Sequence, residues 1–237
     1  MNAQPASGVH AYGKMRWSFV IVGGVVALIV VAGFWDSYYR PLLGGASGHS
    51  GVIHFHAAVY LGWVALFLIQ AALAGTGRIR MHRQVGKAGI AYGVLVIVVG
   101  VSTTLYQYAE LIRSRGLESS LWFPIWPLID MLIFTPFFML AVLCRHKVQL
   151  HKRLMIVAMA TLLIAPAGRL GLSVIPTQLV WFSPILLGLT FDLVRHRCVH
   201  WVYLVGLAVL YVSSFRPKLM RTEMWPEFAR WLGNLLV

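Results

Sequence analysis

The stretch "GVIHFHAAVYLGWVALFLIQAALAG", residues 51–75, decides the fold class. Residues 53–74 contain no Asp, Glu, Lys or Arg. About 20 such residues are needed to cross the hydrocarbon core of a bilayer as a helix. The apolar residues run continuously and do not alternate with period two, which excludes a β-barrel strand. In lipid the backbone must satisfy itself, so the alternative that remains is a transmembrane helix.

Working outward, the same kind of run recurs. Spans are expected at roughly 17–35, 53–74, 88–109, 121–144, 154–175, 178–194 and 199–215. The chain has 237 residues, 59% hydrophobic and 11% charged, with a mean hydropathy of +0.76. A soluble domain carries about 25% charged residues. The expected fold is therefore all-α, an integral membrane bundle of about seven helices over 17–215. A short tail, 1–16, precedes it and an amphipathic tail, 216–237, follows. The sixth span is short and is preceded by Pro166 and Pro176. Six spans with a re-entrant piece are the alternative reading. The first apolar run follows Lys14 and Arg16 as in a signal peptide, but no small-x-small cleavage site comes after it, so a retained helix is expected.

The net charge of +13 is carried largely by short connections. Arg78, Arg80, Arg83 and Lys87 fall in one, Arg145, Lys147, Lys152 and Arg153 in another, and Arg195 and Arg197 in a third. The opposite loops hold Arg40, Arg113 and Arg115, two of them offset by Glu110 and Glu118. The positive-inside rule then places the N-terminus in the cytoplasm of a bacterial-type inner membrane. The basic loops would meet anionic headgroups rather than nucleic acid. Arg216, Lys218, Arg221 and Arg230 lie in the tail, whose "TEMWPEFARWLGNLLV" reads as a helix on the outer surface. Cys144 and Cys198 have no CxxC spacing and are expected as reduced thiols.

Few side chains in the spans can carry chemistry. On the second helix, positions 56, 60, 63, 67 and 70 share a face, placing His56, Tyr60, Trp63, Phe67 and Gln70 in one stripe. His54 falls on the opposite face with Ala58 and Ala65. Asp130 and Arg169 lie inside the fourth and fifth spans, where a lone charge costs about 2.5–3.5 kcal/mol, so they are expected to pair with each other. With His56, Tyr60 and Gln70 they would form one outer pocket. Asp192 is expected to pair with Arg195 or His196 one turn on. Pro166 deprives the Leu162 carbonyl of its helical donor, so the fifth span should break there. Gly89, Gly93 and Gly100 line one face of the third span, as close packing requires. His82, His151 and His200 stand near the starts of three spans and could converge as axial or metal ligands. There is no HExxH, GxSxG, P-loop or His-rich di-iron set, and no motif assigns an enzymatic reaction.

The segment "FWDSYYRPLL…HFHAAVYLGWVALFLIQAALAGTGRIRMHRQVGKAGI" resembles a group of uncharacterised bacterial multi-pass membrane proteins. The resemblance rests on His54, His56, Trp63, Gln70, His82, Arg83 and Gly86, and on "HKRLM…PAGRL" from His151 to Leu170. Together these cover about a third of the chain. A weaker similarity is to cytochrome b561-like and DUF2306-like helical cores. It implies membrane-edge histidines and bis-imidazole haem sites. This sequence departs from that plan on the outer side, where His49, His54 and His56 all belong to one loop and helix. Three readings follow. The first is a redox component that binds haem b or a quinone, with His82, His151, His200, His56 and Arg169 as cofactor contacts. The second is a cofactorless subunit or scaffold beside other membrane subunits. The third is a small-solute transporter using the broken fifth helix.

Overall fold

The computed structural model describes residues 17–45 and 48–237. The tail 1–16, with Lys14 and Arg16, lies outside the described residues. Among the described residues six helices are long and apolar enough to cross a membrane, and the chain is a multi-pass membrane protein. They are α1 (Ser18–Leu43), α2 (Gly51–Gly75), α3 (Ile79–Arg115), α4 (Ile125–Leu143), α5 (Val148–Gly168) and α6 (Val174–Arg195). A shorter apolar helix, α7 (Trp201–Ser213), and a terminal helix, α8 (Met224–Leu236), complete the described fold. No strand occurs among the described residues.

Sequence neighbours pack side by side from α1 to α6, and α6 returns to α1 to close a ring. Helix α7 leans on α5 and α6, and α8 lies along α3. The connections from α2 to α3 and from α4 to α5 are only a few residues long. Such links join antiparallel neighbours. The starts of α3, α5 and α7 therefore share one end of the bundle, and the starts of α2, α4 and α6 share the other.

Two boundaries differ from expectation. The sixth helix is full length, with Ser173 extended at its N-cap. The short one is the seventh: 13 residues rise about 20 Å, against a core of about 30 Å. The third helix begins at Ile79 rather than near 88. Nothing in the basic stretch 79–87 breaks a helix, so the helix runs on past the apolar segment.

Glycines set the close approaches. A Cβ on Gly93 would fall 2.1 Å from the Phe138 ring, and one on Gly100 would strike the Tyr60 hydroxyl at 2.3 Å. Gly33 seats α1 against the carbonyl of Pro166, where a Cβ would meet the oxygen at 2.2 Å. That proline breaks α5: the helix stops at Thr161 and resumes at Ile164. The core runs between the helices, with Phe134, Ile156, Val157, Trp181 and Leu210 almost fully buried.

Candidate functional site

A cavity of about 680 Å³ opens where the end of α1, the start of α2, the second half of α3, the start of α4 and the broken end of α5 meet. His56, Tyr60, Trp63, Asp130 and Arg169 all line it. Local sequence produces each position. Helix α1 carries a π-helical turn at Trp35–Tyr39, a device that re-aims side chains by one residue and recurs at functional sites. It presents Tyr38 and Tyr39 to the cavity. The Tyr38 hydroxyl also pairs with His54 Nδ1 at 2.9 Å, which ties α1 to α2. His54 is thus a bridging residue between helices.

One turn along α2, His56 stacks on Tyr60, with ring centroids 4.2 Å apart. Tyr60 donates to the Val96 carbonyl at 3.3 Å, so its hydroxyl is committed to α3. The next residue of the stripe, Trp63, is caged by aromatic rings. Tyr92 stacks on it at 6.4 Å, and Phe134 and Phe138 meet it edge-on at 5.9 and 5.5 Å. Two polar atoms on this wall are buried without a hydrogen-bond partner: His56 Nδ1 and Trp63 Nε1. Trp63 is only 3% exposed. A buried donor left unpaired costs about 1–3 kcal/mol.

Arg169 stands exposed at the rim. It donates to the Ala165 carbonyl at 2.9 Å, and its guanidinium lies 4.8 Å over the Phe34 ring. It does not pair with Asp130 as expected. Asp130 is instead taken by Arg216, whose Nη2 lies 2.6 Å from Oδ1. Arg216 is 3% exposed, although its position suggested a surface charge in the tail. Its Nη1 donates to the Trp126 carbonyl at 3.0 Å, and the guanidinium is flanked by the Trp126 and Trp181 rings at 5.6 and 6.0 Å. The pair is close but poorly aligned: Oδ1, Nη2 and Nε all lack a partner at hydrogen-bond angles. Asp130 was visible as a buried charge from its place in an apolar run. Its partner, 86 positions away beyond the last apolar helix, carried no sequence signal.

Gln70 is not in the cavity. It lies 14 residues beyond His56, about 21 Å along the helix. With its amide turned to satisfy its neighbours, its nitrogen donates to His82 Nδ1 and the His82 carbonyl, and its oxygen accepts from the Gly86 amide at 2.8 Å. The motif residues Gln70, His82 and Gly86 therefore form a clasp between α2 and the start of α3.

The three histidines at that end are distributed unevenly. His82 and His151 approach to 6.4 Å between ring centroids. His151 Nδ1 bonds the Ala141 carbonyl at 2.8 Å. His200 instead caps α7, with Nδ1 accepting from the Val202 amide at 3.3 Å, and stacks on Trp201. Among the described residues no group of three or more His, Cys, Asp or Glu side chains gathers as a metal set. His82 Nδ1 lies 3.3 Å from the Gln70 backbone carbonyl as well as within reach of the turned Gln70 amide, so its tautomer follows from which of the two it pairs with.

Asp192 meets a cation on the neighbouring helix. Arg153, four percent exposed at its side chain, holds it with two bonds, Nε to Oδ2 at 2.7 Å and Nη2 to Oδ1 at 2.6 Å. The remaining Nη1 donates to Gln149. A carboxylate at position 192 meets Arg153 because α6 runs beside α5.

Comparison with known proteins adds no assignment: no family model, no curated protein and no solved structure matches this chain.

Proposed function

We propose that this protein binds a small ring-bearing ligand with acceptor oxygens, a quinone headgroup being the best fit, in the His56 cavity. The carrying observation is that Trp63, whose buried Nε1 has no hydrogen-bond partner, is one of the residues lining the cavity. Indole N–H can only donate, and so can the Arg169 guanidinium. His56 Nδ1 can donate or accept. A site rich in donors calls for a ligand rich in acceptors. The aromatic wall of Phe34, Trp63 and Trp126 suits a flat apolar body. The volume is in the range of ligand sites, about 300–1,000 Å³. In this reading Trp63 and His56 hold one carbonyl, and Arg169 holds charge that develops at the mouth. The concentration of Lys and Arg at the opposite end supports a cytoplasmic N-terminus in a bacterial inner membrane, with the cavity on the outer side.

The test is a thermal-shift titration of the purified protein in neutral detergent. A short-chain ubiquinone should raise the melting temperature, as any ligand of the native state does. Decylbenzene, which keeps the ring and chain but lacks oxygens, should not. His56→Ala should weaken the quinone shift with little change in the ligand-free melting temperature. Equal shifts from both compounds would reduce the site to an apolar slot and defeat the proposal.

A further inference from the structure

At the opposite end of the bundle a second cavity, of about 50 Å³, lies between the starts of α1, α5 and α7 and the end of α6. It is lined by Lys152, Asp192, Arg195 and Tyr203, with Phe19 and Gly188. Lys152 and Arg169 are 17 residues apart on one broken helix, about 25 Å by helical rise, so this site is separate from the His56 cavity.

Its chemistry is unbalanced. Among the described residues, Lys152 and Arg153 stand beside one carboxylate, Asp192, and Arg195 lines the same space. Arg153 already takes both oxygens of that carboxylate. Lys152 is half-buried. Its Nζ lies 5.2 Å over the Phe19 ring, and among the described residues it makes no hydrogen bond or ion pair within 4 Å. Tyr203 is 99% buried, at 1% exposure. Its ring is fixed by the Arg153 guanidinium 5.9 Å away and by Gly188, where a Cβ would meet the hydroxyl at 2.5 Å. The hydroxyl itself has no hydrogen-bond partner among the described residues, although its residue lines the cavity. A buried hydroxyl donor and an ammonium that no hydrogen bond holds, lining one small space, lack the same thing: an anion with several acceptor oxygens.

We propose that this cavity binds a phosphate group. Lys152 Nζ supplies charge and Tyr203 Oη a directed hydrogen bond. Arg195 is positioned at the wall of the same space. A cavity of this size holds a few oxygen-sized groups, since one water needs about 10–15 Å³ by the same measure. The phosphate is either the headgroup of an anionic lipid, whose chains would run along the exposed helix surfaces, or a free ion.

The experiment uses the full chain, purified in neutral detergent and stripped of lipid. It is titrated by calorimetry with inorganic phosphate and, separately, with dioctanoyl phosphatidylglycerol. Dioctanoyl phosphatidylcholine serves as the zwitterionic control. Binding of inorganic phosphate assigns the site to a free ion. Binding of phosphatidylglycerol above phosphatidylcholine, without inorganic phosphate, assigns it to lipid. In either case Lys152→Gln should weaken affinity about tenfold or more and Tyr203→Phe about fivefold or more, the scale of hydrogen bonds to charged groups. Tyr203→Phe keeps the ring and its packing, so it decides the matter if Lys152→Gln fails to fold. Absence of binding by both probes, or equal affinity in wild type and Tyr203→Phe, would overturn the proposal.

Discussion

Two Arg–Asp pairs are buried among the described residues, and they are built to different standards. Arg153 and Asp192 meet through two bonds of 2.6–2.7 Å, and Gln149 takes the remaining nitrogen. Arg216 and Asp130 come as close, at 2.6 Å, but leave Nε, Nη2 and Oδ1 without well-aligned partners. The first pair joins α5 to α6. In the second, Asp130 lines the large cavity while Arg216 lies buried behind it. Low dielectric makes an incompletely satisfied network costly, and the looser pair is the one whose carboxylate residue lines the large cavity. The contrast separates a structural device from a site.

Mutation can break that contrast. Asp192→Ala should have the largest effect, leaving the Arg153 charge buried and unpaired. A loss of about 3–5 kcal/mol is expected, read as a collapse in the melting temperature or in the yield of folded protein. Asp130→Ala should cost less, about 1–3 kcal/mol, because it removes a carboxylate that is poorly aligned on Arg216 and, since Asp130 lines the large cavity, opens Arg216 toward that space. Equal losses in the two variants would erase the distinction. Gly93→Ala sharpens it from a neutral direction. Its methyl would press on Phe138, which braces Trp63. A loss of about 1–3 kcal/mol from overpacking is expected, together with weaker ligand binding.

The smallest effect concerns α8. Arg230 forms two bonds with Glu118, at 2.8 and 2.9 Å, on the exposed surface, and this holds the Glu118 carboxyl below its usual value of 4.5. A depressed carboxyl stabilises the folded state above its unfolded pKa and loses that contribution as pH falls through its folded value. The hydrogen-exchange protection factors of Met224–Leu236, corrected for the intrinsic slowing of exchange in acid, should therefore fall slightly as pH drops below the ordinary glutamate range. Arg230→Gln should remove that pH dependence. The bond from Tyr108 Oη to the Ala229 carbonyl should keep the helix docked in both cases.

The helical membrane class and most helix positions could be read from hydropathy, because lipid forces continuous apolar runs. The break at Pro166 could be read for an equally local reason, a missing N–H. The stripe of His56, Tyr60 and Trp63 also followed from helical periodicity, and it already contained the unpaired indole. Long-range pairing could not be read. Asp130 demanded a cation, but depth along a helix does not say which helix is next to it, and Arg216 lay in a segment whose composition resembles a surface tail. Gln70 failed for a related reason. Sharing a helical face with His56 does not mean sharing a depth, and 14 residues carry it to the far end of the bundle.

The central claim is that the unpaired indole N–H of Trp63 waits for a ligand oxygen. Trp63→Phe tests it most directly, because it removes that donor and keeps an aromatic ring among Tyr92, Phe134 and Phe138. The measurement is the calorimetric affinity of short-chain ubiquinone for wild type and for this variant, at matched folded fraction. The account predicts a loss of about tenfold, one hydrogen bond with its desolvated donor. An unchanged affinity in the folded variant would contradict it.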